Sequence, residues 1–220
     1  MLPKVIVHNS ISLDGSLTSF EPNMELHYQI AGNYRPDAHL VGSNTVKVGV
    51  ELYGKGVPLE EKKDFEKPER AKSLTLWVIP DTTGALKGLL HTCRRFEYCR
   101  DVVVLVSEET PEDYLRHLRA RCYDFHSVGK RHVDLKLALE LLSTKYKVKT
   151  MLTDTGRILG NLLLEQGLVS ELSLLVHPVI VGKEKAYTMF GNVGKGINLK
   201  LQRQEALGKG YVWLVYKVAK

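Results

Sequence analysis

Val102-Val103-Val104-Leu105-Val106 is an unbroken apolar run, and Thr110-Pro111-Glu112-Asp113 follows it closely. A strand wetted on one face alternates apolar with polar residues. An unbroken run belongs to a strand covered on both faces, as in a parallel sheet flanked by helices. Thr110 offers an N-cap, Pro111 suits a first helical position, and the acidic pair suits the positive end of a helix. The pattern recurs downstream. Lys149-Thr-Met-Leu-Thr153 reads as a strand that passes through Asp154-Thr155-Gly156 into a helix over Ile158–Glu165, which Gly167 closes as a C-cap.

Working outward, Lys4–Asn9 reads as a buried strand, Met24–Ala31 as a helix and Ala38–Val41 as a short strand ending at Gly42. Thr45–Val50 makes a helical turn or two, and Leu74–Ile79 is a strand stopped by Pro80. Tyr123–Val128 is strand-like, Val133–Leu142 helical, and Leu172–Val181 a long strand. Leu199–Glu205 and Tyr211–Val218 form a terminal hairpin turned at Gly208 and Gly210. Alternating strands and helices closed by a hairpin specify an α/β fold: a mostly parallel central sheet flanked by helices, with an antiparallel C-terminal hairpin. A chain of 220 residues hides roughly 70% of its unfolded surface on folding, enough for one domain over 1–220 without staples. Tyr53–Lys72, rich in Lys, Glu, Gly and Pro, reads as a surface excursion within that domain.

Hydrophobic residues at 44% and charged residues at 25% exclude a disordered chain, a collagen-like repeat and a membrane bundle. The start lacks the long apolar stretch of a secretory signal. The most apolar segment, Leu172–Val181, is broken by His177-Pro178 and falls short of the ~20 residues that span a bilayer. Cys93, Cys99 and Cys122 have no metal or redox spacing and read as reduced thiols. The expectation is a cytoplasmic protein with no membrane partner. The net charge of +6 and pI near 9.1 suit a phosphorylated small molecule. Basic residues are scattered and not interleaved with aromatics, so nucleic acid is not expected as a partner.

Gly49-Val-Glu-Leu-Tyr-Gly54-Lys55 opens like a P-loop, but Gly56 stands where Ser or Thr would hold magnesium. The pairs Gly54/Gly56, Gly194/Gly196 and Gly208/Gly210 lack the third glycine of a dinucleotide fingerprint and read as loop glycines. Two strand-to-helix turns fit phosphate better: Gly42-Ser43-Asn44-Thr45, and Asp154-Thr155-Gly156-Arg157. Free N–H groups of a first helical turn bind anions, with hydroxyls of Ser43, Thr45 and Thr155 adding to them; the same residues also serve as plain N-caps. Asp14, in Ser12-Leu13-Asp14-Gly15, is a turn residue or a ligand contact at the end of the first strand. The eight histidines include no metal-binding pair, so no metal is expected, and His8 and His177 read as hydrogen-bonded strand residues. No G-x-S-x-G elbow marks a serine hydrolase.

Val7-His-Asn-Ser-Ile-Ser12-Leu-Asp14-Gly15, Asp37-Ala-His-Leu-Val-Gly42-Ser-Asn-Thr45-Val46, and Thr153 through Leu172 on to His177-Pro178-Val-Ile-Val-Gly182 together span most of the chain. In that order they resemble the riboflavin-biosynthesis reductase family: the RibD C-terminal domain and the archaeal 2,5-diamino-6-ribosylamino-pyrimidinone 5′-phosphate reductases, which share the dihydrofolate reductase fold. The resemblance implies an NADPH-dependent reduction of a ribosylaminopyrimidine 5′-phosphate, the ribosyl group opening to ribityl. It assigns cofactor contacts to Thr45, Thr155, Gly156, Arg157 and Ile158, and substrate contacts to Ser12, Asp14 and Gly15, with Asp14 the catalytic candidate. Ser107, at the end of the apolar run, is placed to donate to a 2′-phosphate, with Arg94, Arg95 or Arg100 near it and Glu108 and Glu109 opposing. NADPH is therefore expected over NADH. A homodimer is expected from the apolar antiparallel edge and from the resemblance. The family has Glu-Gly-Gly where this chain has Asp154-Thr155-Gly156, and Asp-Asp-Pro where it has Val48-Gly49-Val50; these departures bear on the substrate. The competing readings are a reductase of a pteridine or other small heterocycle on the same fold, a nucleotide-binding protein without turnover, and a basic RNA-binding protein.

Overall fold

The computed structural model of the chain describes residues 1–53 and 56–219. In chain order the elements begin β1 (Lys4–Ser12), α1 (Met24–Asn33), β2 (Ala38–Leu40), α2 (Ser43–Tyr53), β3 (Thr75–Pro80), α3 (Leu90–Arg95) and β4 (Cys99–Val106). They continue α4 (Glu112–Ala120), β5 (Asp124–Ser127), α5 (Leu135–Lys145), β6 (Thr150–Thr153), α6 (Arg157–Glu165), β7 (Glu171–His177), β8 (Leu199–Ala206) and β9 (Val212–Val218). The chain divides into two compact units: Met1–Pro3 with Asp37–Lys149, and Lys4–Pro36 with Thr150–Lys220.

The first unit is built on strands ordered β5-β4-β3-β2, every pair parallel. The run Val102–Val106 is buried throughout, as an unbroken apolar strand requires. Val102, Val104 and Val106 share one core with Leu86, Leu90, Tyr114 and Leu118. The start of α4 differs from expectation. Pro111, not Thr110, is the N-cap residue, and it makes no side-chain cap. The Thr110 hydroxyl turns back to accept the Ser107 N–H at 2.9 Å. Helix α3 gave no sequence signal, being six residues long.

From residue 56 on, the excursion carries one 3-10 turn at Lys62–Phe65 and is tied to its unit by arginines. Gly54 and Lys55, the end of the P-loop-like stretch, lie outside the described residues. Glu60 accepts from Arg121 Nε and Nη2, at 2.5 and 2.6 Å, and Asp64 accepts from Arg95. The centre of this arrangement is Arg94, which is buried. Its Nε donates to Asp101 at 2.9 Å. Its terminal nitrogens donate to the carbonyls of Asp64, Glu66, Arg121 and Cys122, and its plane lies over the Tyr123 ring at 3.8 Å. Burial pushes the Asp101 carboxyl above its ordinary range, with Arg94 opposing that shift.

The second unit has strands ordered β6-β1-β7-β9-β8. β1 pairs parallel with β6 on one edge and with β7 on the other; β9 and β8 add antiparallel. Helix α1 packs Ile30 against Leu175, Trp213 and Val215, and Ala31 against Ile6 and Leu152. Asn23 caps it, accepting the Leu26 N–H at 3.0 Å. Strand β7 ends at His177, four residues before the expected Val181, because Pro178 has no N–H to continue a ladder. Gly208 and Gly210 both take positive φ in the β8–β9 turn, the loop role expected of them.

Removing Arg94 leaves the Asp101 carboxylate and four carbonyls buried without a charged donor. Breaking one side of a buried pair costs about 3–5 kcal/mol. Arg94→Met is therefore expected to lower unfolding free energy by about that amount in urea titration, whereas a loss below about 1 kcal/mol would refute the assignment of Arg94 as the anchor of the excursion.

Candidate active site

In the second unit, parallel pairing sets Val7 beside Thr153 and Ser12 beside His177. The carboxyl ends of β1, β6 and β7 therefore leave the sheet on the same edge, where open α/β sheets bind ligands.

At the end of β1, the Ser12 hydroxyl donates to Asp14 Oδ1 at 2.6 Å and accepts the Ser16 N–H at 2.8 Å. The Asp14 carboxylate also accepts the N–H groups of Val181 at 3.2 Å and Gly182 at 2.9 Å. Gly15 turns the chain at φ +82°, a conformation that disfavours any other residue. Its carbonyl accepts from Met189, and Tyr187 exchanges bonds with Leu17 and Ser16. Asp14 is thus a clamp between two loops. The Ser12 hydroxyl and then the Gly182 and Val181 N–H groups hold its pKa down at about 2.

At the end of β6, Thr155 is buried and its carbonyl accepts from Asn9 Nδ2 at 3.4 Å. Gly156 is the N-cap of α6 and has no side chain to cap it. A Cβ at Gly156 would meet nothing within 4 Å, so the approach to these N–H groups is open within the described residues. Arg157 lies with its guanidinium 3.8 Å over the Tyr187 ring. A Cβ at Gly191 would come within 2.7 Å of Arg157 Nη1, so a side chain there would displace the end of the arginine. Ile158 is exposed.

In the first unit, Thr45 sits in the opening turn of α2. Ser107 is buried, with its hydroxyl 3.3 Å from the Thr110 hydroxyl. Arg94 and Arg95 are committed to Asp101 and Asp64, and Arg100 donates to the Lys72 carbonyl at 3.3 Å. The expectation that Arg94 or Arg95 stands near a 2′-phosphate is corrected: internal carboxylates hold both guanidinium groups.

The sequence reading missed a buried polar line beneath α1. Trp213 Nε1 donates to Ser173 Oγ at 2.9 Å, and Ser173 Oγ lies 3.0 Å from His8 Nδ1. His8 Nε2 lies 3.2 Å from the His27 carbonyl. His8 Nδ1 also lies 3.2 Å from the Ser173 carbonyl, so each ring nitrogen faces a carbonyl, and each is a place for the ring hydrogen. Burial, with His27 nearby, lowers His8 to about 4. His27 Nδ1 lies 3.0 Å from Ser10 Oγ, and His27 Nε2 lies 3.7 Å from Asp154 Oδ2. The available signal was a histidine on the face of α1 that also carries Ile30 and Ala31, which buries all three. His177 is buried as well and accepts the Asn23 N–H at 3.0 Å.

Among the described residues no group of His, Cys, Asp or Glu is placed to hold a metal ion, and no helix is long and apolar enough to cross a membrane. The cysteines are free.

Comparison with known proteins found a match to the RibD C-terminal domain model over residues 3–213. A 2,5-diamino-6-ribosylamino-4(3H)-pyrimidinone 5′-phosphate reductase of Methanothermobacter thermautotrophicus is 32% identical over 115 residues, covering 50% of this chain and 52% of that protein. The chain thus spans about half the length of that relative. The protein of the same name from Archaeoglobus fulgidus is 26% identical over 96% of both chains. Among solved structures, RibD of Acinetobacter baumannii is similar with a TM-score of 0.70 at 19% identity, over 99% of this chain and 58% of that one. The fold is the α/β, dihydrofolate-reductase-like class expected from the sequence.

Asp14 supplies a test by pH. Its folded pKa lies below the ordinary 3.8, so the clamp is complete above about 4 and is lost as pH falls through about 2. Amide exchange at Val181 and Gly182, corrected for intrinsic rates, is expected to lose protection across that window and in Asp14→Asn at neutral pH. Unchanged protection in the variant would remove the clamp from the account.

Proposed function

The chain belongs to the RibD C-terminal domain family, and on that basis we propose that it is an NADPH-dependent reductase of a ribosylaminopyrimidine 5′-phosphate, converting ribosyl to ribityl in riboflavin biosynthesis. The observation that carries the reading is the shared exit of β1 and β6, which brings Ser12-Leu13-Asp14-Gly15 and Thr155-Gly156-Arg157-Ile158 to one sheet edge. The names of the two archaeal relatives support the same substrate class.

In this reading Thr155, Gly156, Arg157 and Ile158 hold the cofactor, as do Thr45 and Ser107 in their own unit. The first turn of α6, which opens at Gly156, fits a pyrophosphate, since its N–H groups and dipole favour an anion. Bound NADPH supplies the hydride, and the protein supplies binding, orientation and electrostatics. Ser12, Asp14 and Gly15 take the substrate. Asp14 acts there by fixing the loop on which Ser12 and Gly15 stand and by keeping a negative charge at the end of β1. The hydride goes to the sugar carbon of the ring-opened Schiff base, whose nitrogen carries the balancing proton. Ser107 reaches a 2′-phosphate by exchanging its Thr110 contact for the ligand.

The protein is further read as one cytoplasmic reductase domain over 1–220 that forms a homodimer with no nucleic-acid or membrane partner. Strand β8 supports the dimer, being the exposed outer strand of its unit, with Leu199 and Leu201 facing out.

Three measurements check the reading. NADPH oxidation should depend on 2,5-diamino-6-ribosylamino-4(3H)-pyrimidinone 5′-phosphate, and Asp14→Asn should lower kcat or raise KM without loss of NADPH affinity; binding of NADPH with no turnover would leave a nucleotide-binding protein instead. kcat/KM should favour NADPH over NADH by about tenfold or more, since a charge-assisted phosphate contact contributes roughly 1.5–3 kcal/mol; a ratio near one removes Ser107 from the site. Sedimentation at micromolar concentration should give a dimer of the 24.8 kDa chain, and a monomer alone would contradict it.

A further inference from the structure

His27 lies on α1, on no loop that the reading above uses, yet its ring joins β1 to the turn after β6. Ser10 Oγ stands 3.0 Å from Nδ1 and the Asp154 carboxylate 3.7 Å from Nε2. The ring is buried, its centroid 4.4 Å from that of His8 and tilted 33° to it. The His27 carbonyl lies 3.2 Å from His8 Nε2, so the Trp213–Ser173–His8 line reaches the helix backbone at this residue.

The hydrogen positions follow from this frame. When Ser10 donates to Nδ1, the ring hydrogen sits on Nε2 and faces Asp154. When the ring carries both hydrogens, Nε2–H again faces Asp154. The remaining tautomer sets a bare nitrogen lone pair against a carboxylate and is disfavoured by both charge and desolvation. Asp154 immediately precedes Thr155 and the Gly156 start of α6.

We infer that His27 is a positioning residue for the proposed reduction: Ser10 orients its ring so that Nε2 faces the Asp154 carboxylate across 3.7 Å and draws it electrostatically into place at the exit of β6, where it accepts an N–H or O–H group of the bound pyrimidine or its sugar chain. This inference rests on the reductase reading for its ligand and on the geometry of the second unit for the pair itself. Asparagine at this position keeps a donor near the place of Nδ1 only, and glutamine keeps one near the place of Nε2. The two substitutions therefore separate contact with Ser10 from contact with Asp154.

The test has two arms. In the protein alone, nitrogen-15 spectra of the histidine rings, with His27 assigned by its disappearance in His27→Gln, should show hydrogen on Nε2; an Nδ1–H tautomer overturns the proposal. In turnover with NADPH and 2,5-diamino-6-ribosylamino-4(3H)-pyrimidinone 5′-phosphate, His27→Asn and Asp154→Asn should each lower kcat/KM for the pyrimidine by about tenfold, the worth of one hydrogen bond to a charged group. NADPH affinity should stay unchanged in both. His27→Gln should recover most of the loss, and the double variant should be no worse than Asp154→Asn alone. Additive losses, or equal losses in His27→Asn and His27→Gln, mean that His27 does not act through Asp154 and overturn the proposal. Absence of turnover in the unaltered protein refutes the reductase reading, and the ring spectra then decide the pair by themselves.

Discussion

A strand paired on both edges and covered on both faces leaves the protein only at its ends, and β1 is such a strand. Val5, Ile6 and Val7 are fully buried between β6 and β7. Because both pairings are parallel, the exit of β1 lies on the same edge as the exits of its neighbours. The proposed site of this unit follows from that constraint. Ser12, Asp14 and Gly15 come at one exit, Asp154 through Ile158 at the next, and Val181 and Gly182 after the third. Asp14 then ties the first exit to the last through two backbone N–H groups.

The interior is not purely apolar. β1 carries His8, Asn9 and Ser10 into the unit, and each has a partner: Ser173 and the His27 carbonyl, the Thr155 carbonyl, and the His27 ring. Leaving any of them unpaired costs about 1–3 kcal/mol, so such residues act together or not at all. The first unit solves a similar problem with charge. Arg94 gathers one carboxylate and four carbonyls from three segments and so anchors a stretch whose own composition supports no core.

What the sequence disclosed and what it withheld divide by range. The apolar run Val102–Val106, the turn at Gly156 and the terminal hairpin announce themselves through period and local chemistry, and the motifs at Ser12–Gly15 and Thr153–Leu172 carried the family. Long-range partners are silent in a single sequence. Nothing near Thr110 says that its hydroxyl will serve Ser107 rather than α4. Nothing near Arg94 or Arg95 says that Asp101 and Asp64 will take guanidinium groups read as phosphate ligands. Residues 27 and 154 are far apart in the chain, and only the packing of α1 on β1 makes them neighbours. Asp14 was legible as a turn or ligand-contact residue at the end of β1, but its anchoring by Val181 and Gly182 was not.

The central claim is that the exits of β1 and β6 are where cofactor and substrate meet the protein. A crystal structure with NADPH and the ribosylaminopyrimidine phosphate bound tests it directly. The account predicts phosphate oxygens against the first N–H groups of α6 at Gly156–Ile158, and the pyrimidine or its sugar within hydrogen-bond distance of the Ser12–Gly15 loop and of Asp154. A nucleotide bound elsewhere, with the first turn of α6 and the Ser12–Gly15 loop both untouched, would contradict it.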